Sequence, residues 1–469
     1  MTMNRIGLVG ACLIANGCVS SSIRGDLDRV RELSVDMQLP RQLGEAPEGE
    51  IPREVKDLLE EPIDADRAAR IAILNNRELS ADLRSLGATR GEWIRASTVP
   101  NPTVEAELLP ERDSDLELRL EYDIAGIFYA GMKGENESER MEAARLRVAT
   151  RVIRAAYHAR VASFRLVAAN KVFGFAQRSL DAETAAKEAM EAIHGAGNVT
   201  PLERARQTAG YERAKLAAAS HEVIYWQERE RFQRVLGLSG VPGEWSLVDD
   251  MDKFETSPQR DLEKHVLENN LELRALRHEL EALAGDLDVA QLEGWIPKIE
   301  ADVHVLRVDP EGPTMTERQW RYGGGIALSI PIFDRNQGES RKTQALFDAT
   351  LERYFGAAVS LRSLARELEG QLLSYRERVK SMVERALPAQ RAATKETLLM
   401  YNAMQVGIFE LLRARQTEYS LEMEKVALVR DYQVRLAAEK ALLAGAMVVP
   451  DGPGRMDRID SSDTGKGGH

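Results

Sequence analysis

Histidines are the residues of this sequence best suited to metal binding or acid–base catalysis, and the chain has seven of them. No two are four residues apart, the helical spacing that places two imidazoles on one zinc ion. No nucleophile–base set or metal constellation accompanies them. The sequence therefore predicts that the protein is not an enzyme and has no cofactor and no metal site. The histidines are His158, His194, His221, His265, His278, His304 and His469.

Two further features have the residue types of binding sites but a simpler explanation. Met400 and Met404 are one helical turn apart, and thioether sulfur binds soft metals. Methionine is more often a core residue on the packed seam between long helices, and we favour that interpretation. Three glycines at 323–325 precede an alternating apolar segment rather than a helix, so they are not a phosphate-binding loop.

Both cysteines, Cys12 and Cys18, lie in the first eighteen residues, so the rest of the chain has no disulfide framework and no thiolate metal site. An arginine, an apolar run over 6–15 and a Gly-Cys pair have the layout of a secretory signal. Residues 15–18 resemble a bacterial lipoprotein box. We therefore expect residues 1–17 to be a signal peptide and Cys18 to be lipidated. Cleavage at Cys12, or an ordinary signal with incidental cysteines, stays open.

Net charge and composition limit the remaining classes of function and partner. A formal net charge of −12 with 29% charged residues is typical of a water-exposed protein, and no basic patch indicates a nucleic-acid partner. Residues 18–62 are polar and rich in proline, which predicts an extended arm. Residues 449–469 have the composition of a disordered tail.

Three short phrases of the first half return in the second half, in the same order and at similar spacing. They are NNRELSA at 75–81 and NNLELRA at 269–275, PTVEAE at 102–107 and PKIEAD at 297–302, and Ala-Arg-Gln-Thr at 205–208 and 414–417. A period of roughly 200 residues is too long for a solenoid repeat, which runs about 20–50 residues. It predicts two related halves, residues 63–256 and 257–448.

Each half has the same predicted order of helix, hairpin, very long helix, turn and helix. Period-two alternation indicates the strands, and proline-poor runs of helix formers indicate the helices. Thr200-Pro201-Leu202-Glu203 is a capping box that begins one helix. Near Leu306 the alternation slips, where we expect a bulge or the strand end. The predicted strands are at about 102–109, 115–124, 297–308 and 322–333, and the long helices at about 135–194, 201–235, 338–404 and 409–444.

The strands have charges on one face and aliphatic residues on the other. One such hairpin would ordinarily pack on a helical core. Here, however, the polar face is mostly charged, and aromatic residues cluster near the strand ends: Trp295, Trp320, Tyr322, Tyr122, Phe128 and Tyr129. These features are typical of a transmembrane barrel, and four strands need partner chains to close one.

The motifs extend this interpretation to a family. SIPIFDRNQGES at 329–340 resembles the strand-to-helix junction of the TolC-like outer membrane efflux proteins, and NNRELSA with PNPTVEAEL resembles the entry into their first strand. MQVGIFELLRARQTEY at 404–419 resembles their periplasmic turn. The resemblance spans about residues 60–447 and both halves.

The resemblance implies a mainly α fold with transmembrane β-structure. Each chain of a homotrimer would give four strands to a twelve-stranded barrel in the bacterial outer membrane. Long helices would continue as an α-helical tunnel through the periplasm. The implied function is the passive channel of a tripartite efflux or type I secretion system, working with a periplasmic adaptor, an inner-membrane pump and outer-membrane lipid. A periplasmic coiled-coil adaptor and a structural lipoprotein without a pore are the alternatives.

The resemblance also implies roles for residues at the inner tip. Gly195 matches the turn glycine of the family, whereas the same position in the second half is Met404. Asn198 aligns with Gly407, and both residue types tolerate left-handed backbone, so we expect the second turn to use Gly407.

Charges at the starts of the returning helices are the candidates for a closed gate. They are Glu203, Arg204, Glu410 and Arg413. The simpler explanation is that Glu203 only caps its helix and Arg413 is a solvated charge.

The charged strand face would line the lumen. Its expected acidic residues are Glu105, Glu107, Glu117, Glu121, Asp123, Glu300 and Asp302, against Arg119 alone. We expect a weak cation preference, because water screens each charge over about 8–10 Å.

Overall fold

The structure, a computed structural model, describes seven stretches of the chain: residues 22–34, 52–109, 115–195, 200–238, 245–249, 261–308 and 319–450. Their elements are α1 (Arg24–Leu33), α2 (Arg53–Leu59), α3 (Ala65–Asn75), α4 (Arg77–Ser97), β1 (Thr103–Leu109), β2 (Asp115–Asp123), α5 (Ile124–Gly195), α6 (Pro201–Val235), α7 (Leu262–Asn269), α8 (Leu271–Glu293), β3 (Lys298–Val308), β4 (Gln319–Ser329), α9 (Gln337–Ser381), a π-helical turn (Met382–Ala386), α10 (Leu387–Asn402) and α11 (Ile408–Leu443). The predicted order of elements is present in both halves. No helix of the described residues combines the length and the apolar composition that a membrane crossing demands.

The chain divides into two compact units. Unit 1 consists of Met1–Glu45, Arg77–Val152 and Asn270–Ser360, and it contains all four strands. Unit 2 consists of Ala46–Asn76, Ile153–Asn269 and Leu361–His469.

The repeated Asn-Asn pairs separate two helices in each half. Asn76 follows α3 and Asn270 precedes α8, with nearly equal extended dihedrals (φ −73°, ψ 118° and φ −65°, ψ 122°). The Asn270 side chain accepts the Leu273 N–H at 2.9 Å as an N-cap. The Asn76 side-chain nitrogen donates to the Val235 carbonyl at 3.3 Å. The repeated residue therefore has a repeated conformation, as a duplication predicts, and each pair lies at a boundary between the units.

The strands of unit 1 form one antiparallel sheet in the order β1-β2-β3-β4. The expected bulge near Leu306 is wrong: Leu306 lies opposite Glu117 and Arg307 lies opposite Leu116, with no residue skipped. The ladder bonds are made by the backbone whatever the side chain. An unbroken β3 therefore places one leucine on the charged face and one arginine on the apolar face.

The fourth strand is displaced from its predicted position at 322–333, because β4 ends at Ser329. Pro331 has no N–H to donate to a ladder. The Ile332 N–H bonds instead to the Ile330 carbonyl at 3.0 Å, so the apolar alternation continues past the sheet without pairing.

The glycines at 323–325 lie inside β4, not before it. Gly323 is opposite His304 and Gly325 is opposite Asp302. A Cβ at Gly323 would overlap the His304 ring, and one at Gly325 would overlap the Asp302 carboxylate. The glycines therefore make room for polar side chains of the neighbouring strand.

The long helix α5 begins directly at the end of β2, well before its predicted start near Glu135. The Asp123 carboxylate accepts the Gly126 N–H at 2.9 Å, as an N-cap does. The 72 residues of α5 make a helix about 110 Å long.

The arm at 18–62 is not wholly extended, because it contains α1 and α2. In unit 1, α1 is attached through Asp26, whose buried carboxylate binds Arg90 of α4 at 2.9 Å and Arg145 of α5 at 2.6 Å. Burial alone raises the pKa of the nearby Glu142, but hydrogen bonds from Arg145 and Arg29 outweigh it and hold that pKa below its ordinary value. Removing one partner of such a buried pair costs about 3–5 kcal/mol, so α1 is firmly held.

Pro388 accounts for the π-helical turn of unit 2. Proline has no N–H and crowds the carbonyl four residues earlier. The Leu387 N–H donates to the Met382 carbonyl, five residues back, so one residue is accommodated as a π-bulge. The helix predicted over 338–404 is therefore interrupted here and ends at Asn402.

The end of α10 is a Schellman motif built on a methionine. The Gln405 N–H bonds to the Met400 carbonyl and the Met404 N–H to the Tyr401 carbonyl, both at 2.9 Å. Met404 is left-handed (φ 58°), a position that usually needs glycine. Met404 is thus outside the helix and has no helical spacing to Met400, and the favoured core position is wrong, because the two residues are 94% and 42% exposed.

The expectation that Gly407 supplies the left-handed residue is wrong. Gly407 is the N-cap of α11 with extended dihedrals (φ −81°, ψ 165°), which any residue can adopt. A Cβ there would meet no atom within 4 Å.

Met404→Gly is expected to stabilise this turn by about 1 kcal/mol, because a left-handed residue with a side chain costs about 1–2 kcal/mol. Hydrogen exchange of the backbone amides at 400–408 should slow about fivefold. Gly407→Ala is the control and should leave exchange unchanged. Faster exchange in Gly407→Ala with no change in Met404→Gly would contradict this assignment.

Candidate functional site

The two faces of the sheet differ in chemistry, apart from the exchanged pair Leu306 and Arg307. Among the strand residues whose side chains the structure describes, the charged face carries seven acidic and three basic residues: Glu105, Glu107, Glu117, Glu121, Asp123, Glu300 and Asp302, with Arg119, Lys298 and Arg321. The expectation of Arg119 as the only base is wrong, because the register places two more cations on this face. The acidic residues still outnumber the basic ones. Asp123 additionally caps α5, so its carboxylate also interacts with the positive N-terminal end of that helix.

The other face, the apolar face, is left uncovered by the part of the chain that the structure describes. Val104 is 71% exposed, Tyr322 78% and Ile326 71%. No described side chain of the four strands is buried. Burying one large aliphatic side chain contributes about 1.5–3 kcal/mol. A sheet that gains little of this burial free energy on any strand needs an apolar environment or other chains to cover its apolar face.

The predicted aromatic residues are divided between surface and core. Trp295, Trp320, Tyr322 and Phe128 are exposed, as an interfacial position requires. Tyr129 is instead buried with Ala125 and Val289 in a small core between α5 and α8.

In the first helical hairpin, formed by α5 and α6, the predicted capping box is present at the start of α6. The Glu203 N–H donates to Thr200 Oγ1 at 3.3 Å, and the Thr200 N–H donates to the Glu203 carboxylate at 3.0 Å. Hydrogen bonds from the Thr200 side chain and backbone lower the Glu203 pKa. Glu203 therefore has a capping role, while Arg204 is exposed. Gly195 is the last residue of α5, and Asn198 lies outside the described residues.

In the second helical hairpin, formed by α10 and α11, Glu410 and Arg413 lie one turn apart on α11. Their charged groups are 3.8 Å apart, and their side chains are 58% and 77% exposed. Exposed pairs contribute about 0–1 kcal/mol, so both groups are available to other partners. Cys12 and Cys18 lie outside the described residues.

The two Ala-Arg-Gln-Thr phrases meet at a single carboxylate. Glu183 of α5 is 4% exposed and accepts hydrogen bonds from the side-chain amides of Gln207, at 2.7 Å, and Gln416. Gly210 makes room for it, because a Cβ there would lie 3.1 Å from the Glu183 carboxylate. The glutamine of each repeated phrase thus has the same acceptor. The repeat was visible in the sequence, but Glu183 had no signal, because it occurs in one half only.

Comparison with known proteins gives a consistent result. No family model matches the chain. It is 21% identical to the cobalt-zinc-cadmium resistance protein CzcC of Cupriavidus metallidurans over 386 residues, which covers 81% of this chain and 90% of that protein.

Two solved outer membrane channels share the fold. The Campylobacter jejuni CmeC channel superposes with a TM-score of 0.67 at 12% identity, covering 81% of this chain and 86% of its own. The open state of the Neisseria gonorrhoeae MtrE channel gives 0.66 at 18% identity, covering 81% and 89%. The fold is that of the TolC-like outer membrane channels.

The resemblance found in the motifs is therefore confirmed at the level of the fold, over both halves of the chain. The exposed apolar face of the sheet agrees with the transmembrane strands that the resemblance implies. The long helices agree with the predicted coiled-coil portion of the channel.

Glu183→Ala is expected to loosen the packing of α6 and α11 against α5. Hydrogen bonds to a charged group contribute about 1.5–3 kcal/mol, and both glutamine amides would lose their acceptor. A loss of about 2 kcal/mol corresponds to roughly thirtyfold faster amide exchange at 203–210. Glu188→Ala removes an exposed carboxylate of the same helix and should change nothing. Equal exchange in both variants would exclude this role for Glu183.

Proposed function

We propose that the chain is the outer-membrane channel subunit of a tripartite efflux system, a passive conduit that assembles as a homotrimer. The observation that carries the proposal is a four-stranded sheet with an uncovered apolar face and two open edges, on a TolC-like fold. In lipid every backbone N–H and C=O group needs a partner, and open sheet edges do not occur there.

Closure by identical chains satisfies this requirement. The edges of the sheet are β1 and β4. If β1 of one chain pairs with β4 of the next, the contact is head-to-tail and closes when the rotation completes a ring. Three chains give twelve strands. The charged face then lines a water-filled lumen and the apolar face meets lipid, as in outer-membrane barrels.

The proposed cargo is divalent metal cations. CzcC, a relative covering most of the chain, is named for resistance to cobalt, zinc and cadmium. The charged face also has more acidic than basic residues. Energy would come from an inner-membrane pump coupled through a periplasmic adaptor. A strain lacking the gene should become sensitive to cobalt, zinc and cadmium; sensitivity to antibiotics alone would assign drugs as the cargo.

The N-terminal arm would add a second attachment to the membrane. We place a lipid on Cys18, six residues before α1, which Asp26 holds against α4 and α5. One acyl chain gives only marginal binding, so the barrel would be the main anchor. Fatty-acid labelling that persists in Cys18→Ser would reassign the lipid to Cys12.

Pore formation separates this function from its alternatives. The purified full chain should insert into a planar bilayer and conduct, with a reversal potential of weak cation preference under a salt gradient. A periplasmic adaptor or a structural lipoprotein would not conduct. Conduction with clear anion preference would contradict the assignment of the charged face to the lumen.

The gate is proposed at the second hairpin, where Glu410 and Arg413 are exposed near the start of α11. Copies from three chains would converge where the tunnel narrows, and weak pairs would bias closure without locking it. Arg204 of the first hairpin would contribute, whereas Glu203 is engaged in its cap.

Replacing Glu410 and Arg413 together by Ala is expected to raise resting conductance in bilayers, because the charged links across the axis are lost. The matched control is Glu339→Ala with Lys342→Ala, another exposed pair one turn apart, at the start of α9. The control should keep wild-type conductance. Wild-type conductance in both double variants would move the constriction elsewhere along the helices.

A further inference from the structure

A histidine and two carboxylates from different helices of unit 1 converge at one point. Glu139 lies on α5, and His278 and Glu281 lie one turn apart on α8. His278 Nδ1 is 2.6 Å from Glu139 Oε2 and 3.5 Å from Glu281 Oε2. One ligand atom from each of the three residues lies within 4.8 Å of the others. Among the described residues this is the one such group of three.

We propose that Glu139, His278 and Glu281 form a binding site for a divalent transition-metal ion, with Zn²⁺ or Co²⁺ as the fitting occupant. One imidazole nitrogen and two carboxylate oxygens suit these ions, whereas Mg²⁺ and Ca²⁺ prefer oxygen ligands alone. Three protein ligands leave a fourth position of a tetrahedral ion open to water.

The spacing of the donors agrees with such an ion. Tetrahedral ligands at zinc bond lengths are about 3.3 Å apart. The separation of His278 and Glu281 is already near that value. Glu139 is closer, at hydrogen-bond distance from the imidazole. A shift of the Glu139 carboxylate by about 0.7 Å away from the imidazole would bring the two donors to that spacing, and the Glu139 side chain is 35% exposed.

The surroundings hold the donors in place. Arg277 Nε binds Glu281 Oε1 at 3.1 Å, so the other oxygen, Oε2, is left facing His278. Two cross-helix ion pairs, Arg140 with Asp286 and Arg147 with Glu279, join α5 and α8 near the cluster. Sites on rigid helices keep their geometry better than sites on loops.

Only half of this metal-binding signal is visible in the sequence. His278 and Glu281 have the helical i, i+3 spacing, but Glu139 is 139 residues from His278 in the chain. A search for pairs of histidines therefore passes over it. Metal binding at this cluster does not depend on pore formation, so it is tested separately.

The test uses the full chain in detergent, stripped with a chelator and titrated with Zn²⁺ alone by calorimetry. We expect one Zn²⁺ per chain at this site, and at least about tenfold weaker binding in His278→Asn and in Glu139→Gln. The matched control is His265→Asn, an exposed histidine of α7 outside the cluster, which should bind as the wild type does.

Circular dichroism and the assembly size should be the same in all variants, and Glu139→Gln keeps the hydrogen-bonding capacity of its side chain. Zn²⁺ should also raise the melting temperature of the wild type and of His265→Asn, but not of His278→Asn. Equal Zn²⁺ affinity in the wild type and His278→Asn would overturn the proposal. Equal losses in His278→Asn and His265→Asn would assign the binding to scattered surface histidines.

Discussion

The unpaired backbone groups of β1 and β4 are the constraint on which the rest of the molecule depends. A sheet of four strands leaves a row of N–H and C=O groups at each edge, and this sheet also leaves its aliphatic face uncovered. The open edges are unfavourable in lipid, where backbone groups have no water to bind, and the exposed aliphatic face is unfavourable in water. In the function proposed above, assembly would therefore precede conduction, because the wall of the pore would form only between chains.

This constraint explains why most of the buried residues belong to the helices. The described strands contribute no buried side chain, whereas the α11 residues Tyr432, Ala438 and Leu442 are fully buried. Each chain has a conventional core that consists mainly of buried helical residues. The sheet has no such core among the described residues, and the proposed barrel would bury its apolar face against lipid and pair its edges with neighbouring copies.

Much of the fold followed from sequence periodicity. Alternation located β1, β2 and β3 within about two residues, and the capping box fixed the start of α6. The errors have local causes. Alternation continued past the true end of β4 because Pro331 removes a donor without disturbing the apolar pattern. The start of α5 was missed because its first turns contain several glycines.

Residues that meet across long sequence distances were beyond such reasoning. Asp26 with Arg90 and Arg145, and Glu139 with His278, are joined only by the packing of helices. The turn at Met404 was missed for a different reason. A left-handed methionine is unfavourable, and the sequence pointed to Gly407, which tolerates that conformation but does not adopt it.

Glu183 shows how far the two halves have diverged since their duplication. At the offset that relates the two Ala-Arg-Gln-Thr phrases, the second half has Ala392 and no carboxylate. Gln416 thus relies on a residue that only the first half encodes. The two halves are therefore not interchangeable at this position, because the second half alone would hold its glutamine without the carboxylate that accepts its hydrogen bond.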